Sequence, residues 1–325
     1  MKIKINELQN IAVKMLVEQG ASKKDAEIIV EDFMDSELRG KKDHGFSSFK
    51  KFAVKDIKKT ATGVKPMIEK ETESYMLING NGLLGQVVCK DVMDKTIAKA
   101  KKKGIAMTGI YNMESYMTPG TYARQAAEKD VIAIICNYGG KNRTAPFGSI
   151  DPVFGTNPIA IGIPSNTINI VMDMATSKEA LAKVRMAEAL GENVPEGIGI
   201  DKNGNPTTSP TEILNGAILP FGEYKGSALA LVIEVLTKEM FNLKIDDTTK
   251  VCRGYLFIVI DPSVFGELTV FKQNVSDLIK KIKSSRKAKG VTEILVPGEK
   301  GERLKQENLK KGYLEIDDKI MKDLR

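Results

Sequence analysis

His44 is the only histidine among the 325 residues, and it directly follows Asp43. A histidine can hold and release a proton near neutral pH, which suits it to general acid or base catalysis. A neighbouring carboxylate favours the protonated imidazole if the two side chains meet. The alternative interpretation is a satisfied surface or capping residue, and the surrounding residues leave both open.

A second stretch, residues 154–177, has two apolar runs separated by turn residues. Residues 159–163 and 168–172 are typical of buried strands. The second run leads into Asp173-Met174-Ala175-Thr176-Ser177, and a helix is predicted over residues 178–190. Small and hydroxyl residues between a strand and a helix can let a phosphate approach main-chain N–H groups. The alternative is that Ser177 only caps the helix.

Two more charged residues stand beside glycines near predicted helices. Lys225 precedes an apolar helix predicted over residues 227–240, where its ammonium could hold a phosphate or carboxylate. Its alternative is a solvated lysine. Glu299, next to Lys300, could contact a ribose or simply form part of a turn.

The composition is that of a globular protein, with 42% hydrophobic and 28% charged residues and a net charge of +7. The lysines are dispersed and no arginine–aromatic pattern recurs, so we expect no nucleic-acid partner. A modest basic balance suits an anionic substrate.

Cys89, Cys136 and Cys252 are far apart without a CxxC motif, which predicts a reducing compartment and no metal site. With no apolar signal segment and no run of membrane-span length, we expect a cytoplasmic protein without a membrane partner.

Helices and strands alternate along much of the chain, which predicts α/β layers. Two helices are expected within residues 6–39, and others over 85–103, 121–129 and 275–285. Further strands are expected at 74–78, 105–110, 131–136 and 256–260. No GxGxxG motif follows a strand, so the ordinary Rossmann fingerprint is missing. Residues after 299 are predicted to form a charged, exposed tail.

Several motifs occur together in one order between about residues 10 and 315. They are Glu37-Leu38-Arg39-Gly40 with Asp43-His44-Gly45, Ala145-Pro146-Phe147-Gly148, Gly155-Thr156-Asn157-Pro158, Asp173-Met174-Ala175-Thr176-Ser177, Leu219-Pro220-Phe221-Gly222 with Lys225-Gly226, and Pro297-Gly298-Glu299. In this combination the chain resembles the type 2 malate/L-lactate dehydrogenase family. That family includes L-sulfolactate, ureidoglycolate and diketogulonate oxidoreductases and cyclic imine reductases such as piperideine-2-carboxylate reductase.

The resemblance implies a non-Rossmann, three-layer α/β fold. A helical N-terminal segment, residues 1–70, would be joined by residues 290–325. Residues 71–289 would form the α/β region that binds cofactor and substrate. It also implies a homodimer with active sites near the subunit interface.

The resemblance further implies hydride transfer between NAD or NADP and a 2-oxo acid or imine, with His44 matching the family's proposed proton donor. Matching cofactor segments are Met172, Asp173, Met174, Ala175, Thr176, Ser177, Tyr224, Lys225, Gly298, Glu299 and Lys300. Matching substrate positions are Asp43, Ser48, Ser115, Tyr116 and Asn157.

The substrate half of the pattern departs from the family. The family usually has serine where this chain has Asp43, arginine where it has Ser48, and a second histidine where it has Ser115. These changes remove side chains that could bind the carboxylate and the carbonyl of a substrate. Malate and lactate are therefore expected to be poor substrates. Possible replacements are Lys50, Lys141, Arg143, Tyr111 and Tyr116.

Three functions therefore stay open from the sequence. The first is an NAD(P)-dependent oxidoreductase on an altered, anionic 2-oxo/2-hydroxy acid. The second is a reductase of a cyclic imine or another electrophile. The third is a cofactor-binding protein without dehydrogenase turnover. No arginine is evidently placed for a 2′-phosphate, which favours NAD over NADP.

Overall fold

A seven-stranded sheet forms the middle of the computed structural model, which describes residues 1–57, 64–242 and 253–324, without the side chain of Asp323. Cys252 lies outside the described residues. With strands numbered along the chain, the spatial order is β2 (Met67–Glu71), β3 (Tyr75–Asn79), β4 (Ile105–Tyr111), β11 (Gly254–Ile260), β5 (Ile132–Asn137), β6 (Ile159–Ile163) and β7 (Ile170–Met174). Among these seven strands, only β3 and β4 pair in parallel.

The hairpin of β6 and β7 comes from the two apolar runs that the sequence singled out. Ile159 lies opposite Met174, and Ile163 lies opposite Ile170. The second strand begins two residues later than predicted. Asp173 is therefore still part of β7, opposite Ala160, and the chain leaves the sheet just before Ala175.

Helices cover both faces of the sheet. The helices α4 (Gly85–Lys103) and α5 (Pro119–Ala127) pack on one face, and α8 (Tyr224–Thr237) packs on β5 and β11 at the other. Cys136 is buried with Ile233 and Leu256 beneath α8. This arrangement confirms the expected three-layer α/β fold.

Two antiparallel helices, α1 (Ile5–Glu18) and α2 (Lys23–Leu38), begin the chain. The Ser22 hydroxyl accepts a hydrogen bond from the Asp25 N–H at 3.0 Å, as the N-cap pattern predicts. After α2 the chain forms a single 3-10 turn (Lys42–His44), the short helix α3 (Phe46–Phe49) and a π-helical turn (Lys50–Val54). These turns carry the sole histidine.

The C-terminal segment returns to the N-terminal helices. Its elements are α9 (Leu268–Lys283), α10 (Glu299–Lys311), β12 (Tyr313–Glu315) and α11 (Asp318–Leu324). The strand β12 pairs with β1 (Lys2–Lys4), and Leu314 and Met321 share a buried cluster with Leu8 and Ile29. The exposed tail expected after residue 299 was wrong, because charged residues of α10 pair with α2 and the apolar residues after α10 close the N-terminal core. The division into two domains stays a prediction.

A smaller unit lies between β7 and α8. It consists of α6 (Leu181–Leu190), α7 (Pro210–Asn215), β8 (Gly199–Ile200), β9 (Pro206–Thr207) and β10 (Ala217–Ile218). Val184 and Ile213 form the centre of its own small core. This unit places α6 against the 3-10 turn. Across the described ranges, no helix combines the length and apolar content required to cross a bilayer.

Candidate active site

The 3-10 turn holds Asp43 and His44 side by side. Nδ1 of His44 lies 3.0 Å from Oδ2 of Asp43, and both side chains are mostly buried. Burial alone would raise the pKa of Asp43, but the hydrogen bond and charge of His44, with a smaller contribution from Lys183, lower it. Asp43 therefore stays ionised and orients the imidazole, while Nε2 has no hydrogen-bond partner within the described ranges.

Glu37, near the end of α2, anchors this turn. Its Oε2 accepts a hydrogen bond from the Phe46 N–H at 2.9 Å, and the carboxylate is buried. Burial raises the pKa of Glu37, against the opposing effects of the Phe46 N–H and the charge of Lys42. A Cβ on Gly45 would lie 2.1 Å from Oε2, so only glycine allows the turn to approach this carboxylate.

Lys41 joins the histidine turn to the end of β7. Its Nζ lies 2.5 Å from Oδ2 of Asp173, whose side chain is mostly buried. Gly120, in the first turn of α5, packs against the same carboxylate, where a Cβ would come within 2.6 Å. Asp173 is thus the point where the turn that carries His44, α5 and the segment matching the family's cofactor contacts meet.

The segment after Asp173 is held by main-chain bonds. The N–H and hydroxyl of Thr176 donate to the Thr156 carbonyl at 2.9 and 3.0 Å, and the Phe221 N–H donates to the Thr176 carbonyl at 3.0 Å. The Ser177 hydroxyl donates to the Glu179 carbonyl at 2.8 Å. Since α6 begins only at Leu181, Ser177 does not cap it, and the capping alternative is wrong.

Tyr224 and Lys225 begin α8, three and four residues after Phe221, whose N–H bonds to the Thr176 carbonyl. Tyr224 is 61% exposed, and its ring lies edge-on to Phe147. Lys225 is exposed with its ammonium 6.0 Å from the Tyr224 ring centre, and no carboxylate of the described chain pairs with it. Glu223, immediately before, has φ +59°, a conformation that non-glycine residues adopt at a cost and that often marks a binding site.

Gly298 lies on the other side of β7. The Val171 N–H donates to the Pro297 carbonyl at 3.0 Å, and a Cβ on Gly298 (φ +90°) would come within 3.1 Å of Val171. Glu299 is buried and pairs with Lys283 and Arg303. Burial would raise the pKa of Glu299, but these partners and the Val296 N–H lower it. Its carboxylate is committed to the protein, whereas Lys300 is exposed.

A cavity of about 330 Å³ adjoins Val171 and Gly298. Polar groups dominate its lining, including Arg39, Arg124 and Glu302. Its remaining lining residues are Glu128, Ser165, Thr167, Ile168 and Asn169. Its position beside the first residues of the segment and the start of α10 suits part of a polar, extended ligand.

A larger groove of about 520 Å³ shares no residue with these segments. It lies between the β2–β3 turn and α4, and its lining includes Glu71 and Lys99, which pair with each other at 2.8 Å. Its charges are therefore neutralised internally. Across the described residues, no group of three or more metal-ligating side chains comes together.

Two of the sequence-predicted substrate residues lie near the site but engage in local bonds. The Ser48 hydroxyl donates to the Asp43 carbonyl at 2.7 Å and so supports the histidine turn. The Ser115 hydroxyl accepts from the Met117 N–H at 3.1 Å and shapes the loop before α5. Neither supplies a charge for an anionic substrate.

Tyr116 and Asn157, both predicted substrate positions, are buried and bonded within the protein. Tyr116 is buried in an aromatic cluster, and its hydroxyl donates to Asn137 Oδ1 at 2.6 Å. Asn157 is fully buried: its Nδ2 donates to the Ala230 carbonyl and to Glu234, and its Oδ1 accepts from the Gly139 N–H. Polar side chains in a core are used to satisfy internal partners, so both residues support the frame.

The suggested replacement groups are also partly committed. The Tyr111 hydroxyl donates to Glu69, and Arg143 donates to the Leu214 carbonyl at 3.2 Å. Sequence reasoning assigned no role to Glu37 or Lys41, which fix the histidine turn. Their proximity to His44 in the sequence was a signal, but only the folded chain brings Asp173 to Lys41.

The chain matches a known protein family over nearly its whole length. The family model described as malate/L-lactate dehydrogenase matches residues 3–325. The chain is similar to the malate/(S)-sulfolactate dehydrogenase of Methanothermus fervidus, with 40% identity over 100% of this chain and 96% of that protein. It is 35% identical to the L-sulfolactate dehydrogenase of Methanocaldococcus jannaschii, over 98% and 93% of the two chains.

Among solved structures, the malate dehydrogenase of Entamoeba histolytica superposes with a TM-score of 0.92 at 26% identity, covering 100% of this chain and 96% of that one. The match in sequence thus spans nearly the whole chain. The match in structure includes the helical N- and C-terminal segments as well as the sheet. The protein belongs to the malate/L-lactate dehydrogenase family.

Proposed function

We propose that this protein is an NAD(P)-dependent oxidoreductase that transfers a hydride between the nicotinamide and a 2-oxo/2-hydroxy acid. The observation that carries the proposal is the Asp43–His44 pair, whose turn is tied through Lys41 to Asp173. A proton-transferring group thereby stands beside the segment that matches the family's cofactor contacts. The named activities of the relatives support the same reaction class.

His44 acts as the general acid in the direction of reduction. When bound, the reduced nicotinamide supplies the hydride to the carbonyl carbon. The Nε2–H of His44 donates its proton to the carbonyl oxygen, and Asp43 stabilises the imidazole through Nδ1. In oxidation of the alcohol the same nitrogen accepts the proton.

The residues present fit a dinucleotide. Gly120 and Gly298 let α5 and the start of α10 pack directly on Asp173 and Val171, where a Cβ would collide with these residues, and this packing fixes the strand end that the cofactor would contact. Lys225 is available as a cation for a phosphate. We propose that residues 172–177, 224–225 and 298–300 contact the cofactor through their main chain and through the Lys225 side chain. The Glu299 carboxylate, which pairs with Lys283 and Arg303, would hold its segment in place without touching the cofactor.

We propose NAD as the preferred cofactor. The cavity beside Gly298 contains two arginines, but both are engaged by Asp35, at 2.7 Å for Arg39 and 3.2 Å for Arg124. Glu302 also lies there, paired to Arg39 at 2.6 Å. A 2′-phosphate would have to displace these carboxylates, whereas a ribose diol can bond to them.

The exposed face of α8 supports a homodimer. Leu231, Val232 and Val235 are each about half exposed on one apolar helix. Contiguous apolar surface of this kind marks protein contacts. We propose that a second copy of the chain covers this face. Charge-introducing substitution at Leu231 should give a monomer in sedimentation analysis, while an unchanged dimer would exclude this face as the interface.

We also propose a cytoplasmic location and a small anionic substrate, with no nucleic-acid or membrane partner. Cys89 and Cys136 are buried free thiols, which suits a reducing compartment. The net charge of +7 suits anionic ligands.

The deciding experiment titrates NADH and NADPH into the protein by nicotinamide fluorescence and then screens acids for NAD(P)H consumption. Binding of NADH with consumption on a 2-oxo acid would support the proposal. Consumption only with a cyclic imine would favour the reductase of that substrate class. Binding without any turnover would favour a cofactor-binding protein without dehydrogenase activity. No binding at millimolar cofactor would exclude the oxidoreductase, the imine reductase and the cofactor-binding protein alike.

A further inference from the structure

Residues 284–292, which follow α9, carry charges of one sign only. This basic loop contains Arg286, Lys287 and Lys289, and it contains no aspartate or glutamate. All three side chains are exposed, and within residues 1–57, 64–242 and 253–324 none of them pairs with a carboxylate. The Lys287 ammonium donates to the Thr292 carbonyl at 2.6 Å, which is a bond inside the loop.

The helix before the loop accounts for some of the neighbouring cations but not for these. Lys280, Lys281 and Lys283 lie in the last turn of α9, where positive charge is favourable beside the free main-chain carbonyls. That effect fades beyond the last turn of a helix. The three cations of the basic loop therefore lack this stabilisation, and they also repel one another.

Both ends of the basic loop meet at one cluster of ion pairs. Lys283 directly precedes the loop and pairs with Glu299, while Glu293 directly follows the loop and lies 3.8 Å from the Lys283 ammonium. Arg286 is three residues from Lys283, and Lys289 is four residues from Glu293. Since a chain spans at most about 3.6 Å per residue, both Cα atoms lie within about 14 Å of this cluster.

The cluster has no negative charge left for the basic loop. Arg303 binds Glu293 at 2.7 Å and also pairs with Glu299, so two cations and two carboxylates neutralise each other. Glu299 directly follows Gly298, the residue that packs on Val171. The uncompensated charge of the loop therefore lies beside residues 298–300, where the exposed Lys300 adds another cation.

Uncompensated charge on a surface acts on ions in solution before they bind. Charges act over about 8 Å at physiological ionic strength and over about 30 Å at about 10 mM salt. A group of like charges raises the local concentration of an oppositely charged ligand and its rate of association. A dinucleotide, whose pyrophosphate is anionic, is such a ligand.

We propose that the basic loop attracts the dinucleotide cofactor towards residues 298–300 during association and makes no contact with it in the bound complex. This inference rests on the proposed function, which puts the cofactor at these residues, and it adds how the cofactor arrives. The cavity beside Gly298 has no residue of the loop in its lining. The loop therefore acts at a distance, on the association rate and not on the dissociation rate.

The test follows NADH binding by stopped-flow nicotinamide fluorescence in wild type and in Arg286→Glu/Lys289→Glu. At about 10 mM salt, the variant's association rate constant should be lower by roughly threefold to tenfold. Its dissociation rate constant should change by less than about twofold. At about 1 M salt, where charges act over about 3 Å, both proteins should bind NADH equally fast.

The matched control is Lys101→Glu/Lys102→Glu at the end of α4, where both lysines are exposed. It reverses the same number of charges, so both double variants have the same net charge. The groove that Lys102 lines shares no residue with the proposed cofactor segments. The control should therefore keep the wild-type association rate within about twofold, and thermal midpoints check that all variants fold.

The outcomes separate this inference from the proposed function. Equal association of NADH with wild type and the loop variant at low salt would overturn the inference and leave the oxidoreductase proposal intact. An equal loss in the control, or a faster dissociation in place of a slower association, would also overturn it. If the expected rates are found but no acid or imine consumes NADH, the reaction assignment fails and the role of the loop stands. Absence of NADH binding would overturn both.

Discussion

The two sides of the proposed site are built by different means. On the cofactor side, residues 173–177 are held by main-chain hydrogen bonds to Thr156, Phe221 and their neighbours. On the substrate side, the turn with His44 has short-range main-chain bonds of its own, but side chains join it to α2 and orient the imidazole, namely Glu37 and Asp43. A main-chain frame tolerates many substitutions, whereas a surface built from side chains changes its chemistry with each one. The departures from the family pattern lie on the second side.

The largest effect should come from His44→Ala, which removes the proton donor from the substrate side only. Turnover should fall by roughly two to four orders of magnitude, the range of general acid–base catalysis. Fluorescence titration should show NADH affinity changed by less than about threefold, because the main-chain frame is untouched.

A second readout distinguishes catalysis from folding at this position. If His44 were only a structural residue, its loss would lower the thermal midpoint and NADH affinity together. Wild-type turnover in His44→Ala would contradict the assignment of the acid altogether.

The next largest effect tests the cofactor-side frame through Asn157→Ala. This buried amide bonds to Gly139, Ala230 and Glu234, so its loss leaves the Gly139 N–H without a partner, opens a small cavity and removes one of the bonds to the other two groups. The free energy of unfolding should drop by about 2–4 kcal/mol, measured by denaturant titration. The exposed Asn166→Ala is the control and should change stability by less than about 0.5 kcal/mol. Normal stability with lost substrate binding would restore Asn157 to the substrate site.

An intermediate effect is expected where the two sides join. Lys41→Met removes the ion pair with Asp173, so the position of the His44 turn relative to residues 173–177 is no longer fixed. The value of kcat/KM should then fall by about tenfold. The partly exposed pair contributes only about 0.2–1 kcal/mol to stability, so the thermal midpoint should barely move. Lys90→Met, which breaks an exposed pair with Glu31, is the matched control. Equal kinetics in both variants would show that the two sides are positioned independently.

The smallest effect concerns pH and the buried carboxyl group of Asp32 on α2. Burial raises the pKa of Asp32 to about 7, despite hydrogen bonds from Thr121 and Gln86. The folded protein then holds a proton that the unfolded chain loses near pH 4, so this contribution to stability is full below about pH 4 and is lost as pH rises through about 7. From pH 5 to 8, wild type should lose about 1 kcal/mol or more relative to Asp32→Asn.

The measurement is a denaturant titration at several pH values. The exposed Asp151→Asn variant serves as the control and should run parallel to wild type. Parallel curves for wild type and Asp32→Asn would show that Asp32 is ionised throughout. Gln86 Oε1 is buried without a partner among the described residues, and the amide that Asp32→Asn introduces can donate to it.

The sequence predicted those parts of the fold that depend on local pattern. The two N-terminal helices, the β6–β7 hairpin and α4 lie where periodicity and turn residues indicated. The edge strand β2 was missed because its residues are exposed and do not alternate. The helix α10 was read as a tail because its high polarity hides the contacts it makes only with distant residues such as Arg39 and Leu38.

The same division applies to the site. The Asp43–His44 pair and the segment from Asp173 to Ser177 could be found from local residues. The link between Lys41 and Asp173 spans 132 positions and depends on the fold.

The pairing of β1 with β12 sets an order of events during synthesis. Leu8, Leu16 and Ile29 complete their cluster only with Leu314, Met321 and Leu324, which leave the ribosome about 300 residues later. Closing so long a loop is slow, and until then the N-terminal helices expose their apolar faces. The seven strands of the central sheet have all been made once β11 emerges, so a nascent chain of this protein can pair its sheet while the N-terminal helices still expose apolar faces, until residues 314–324 follow.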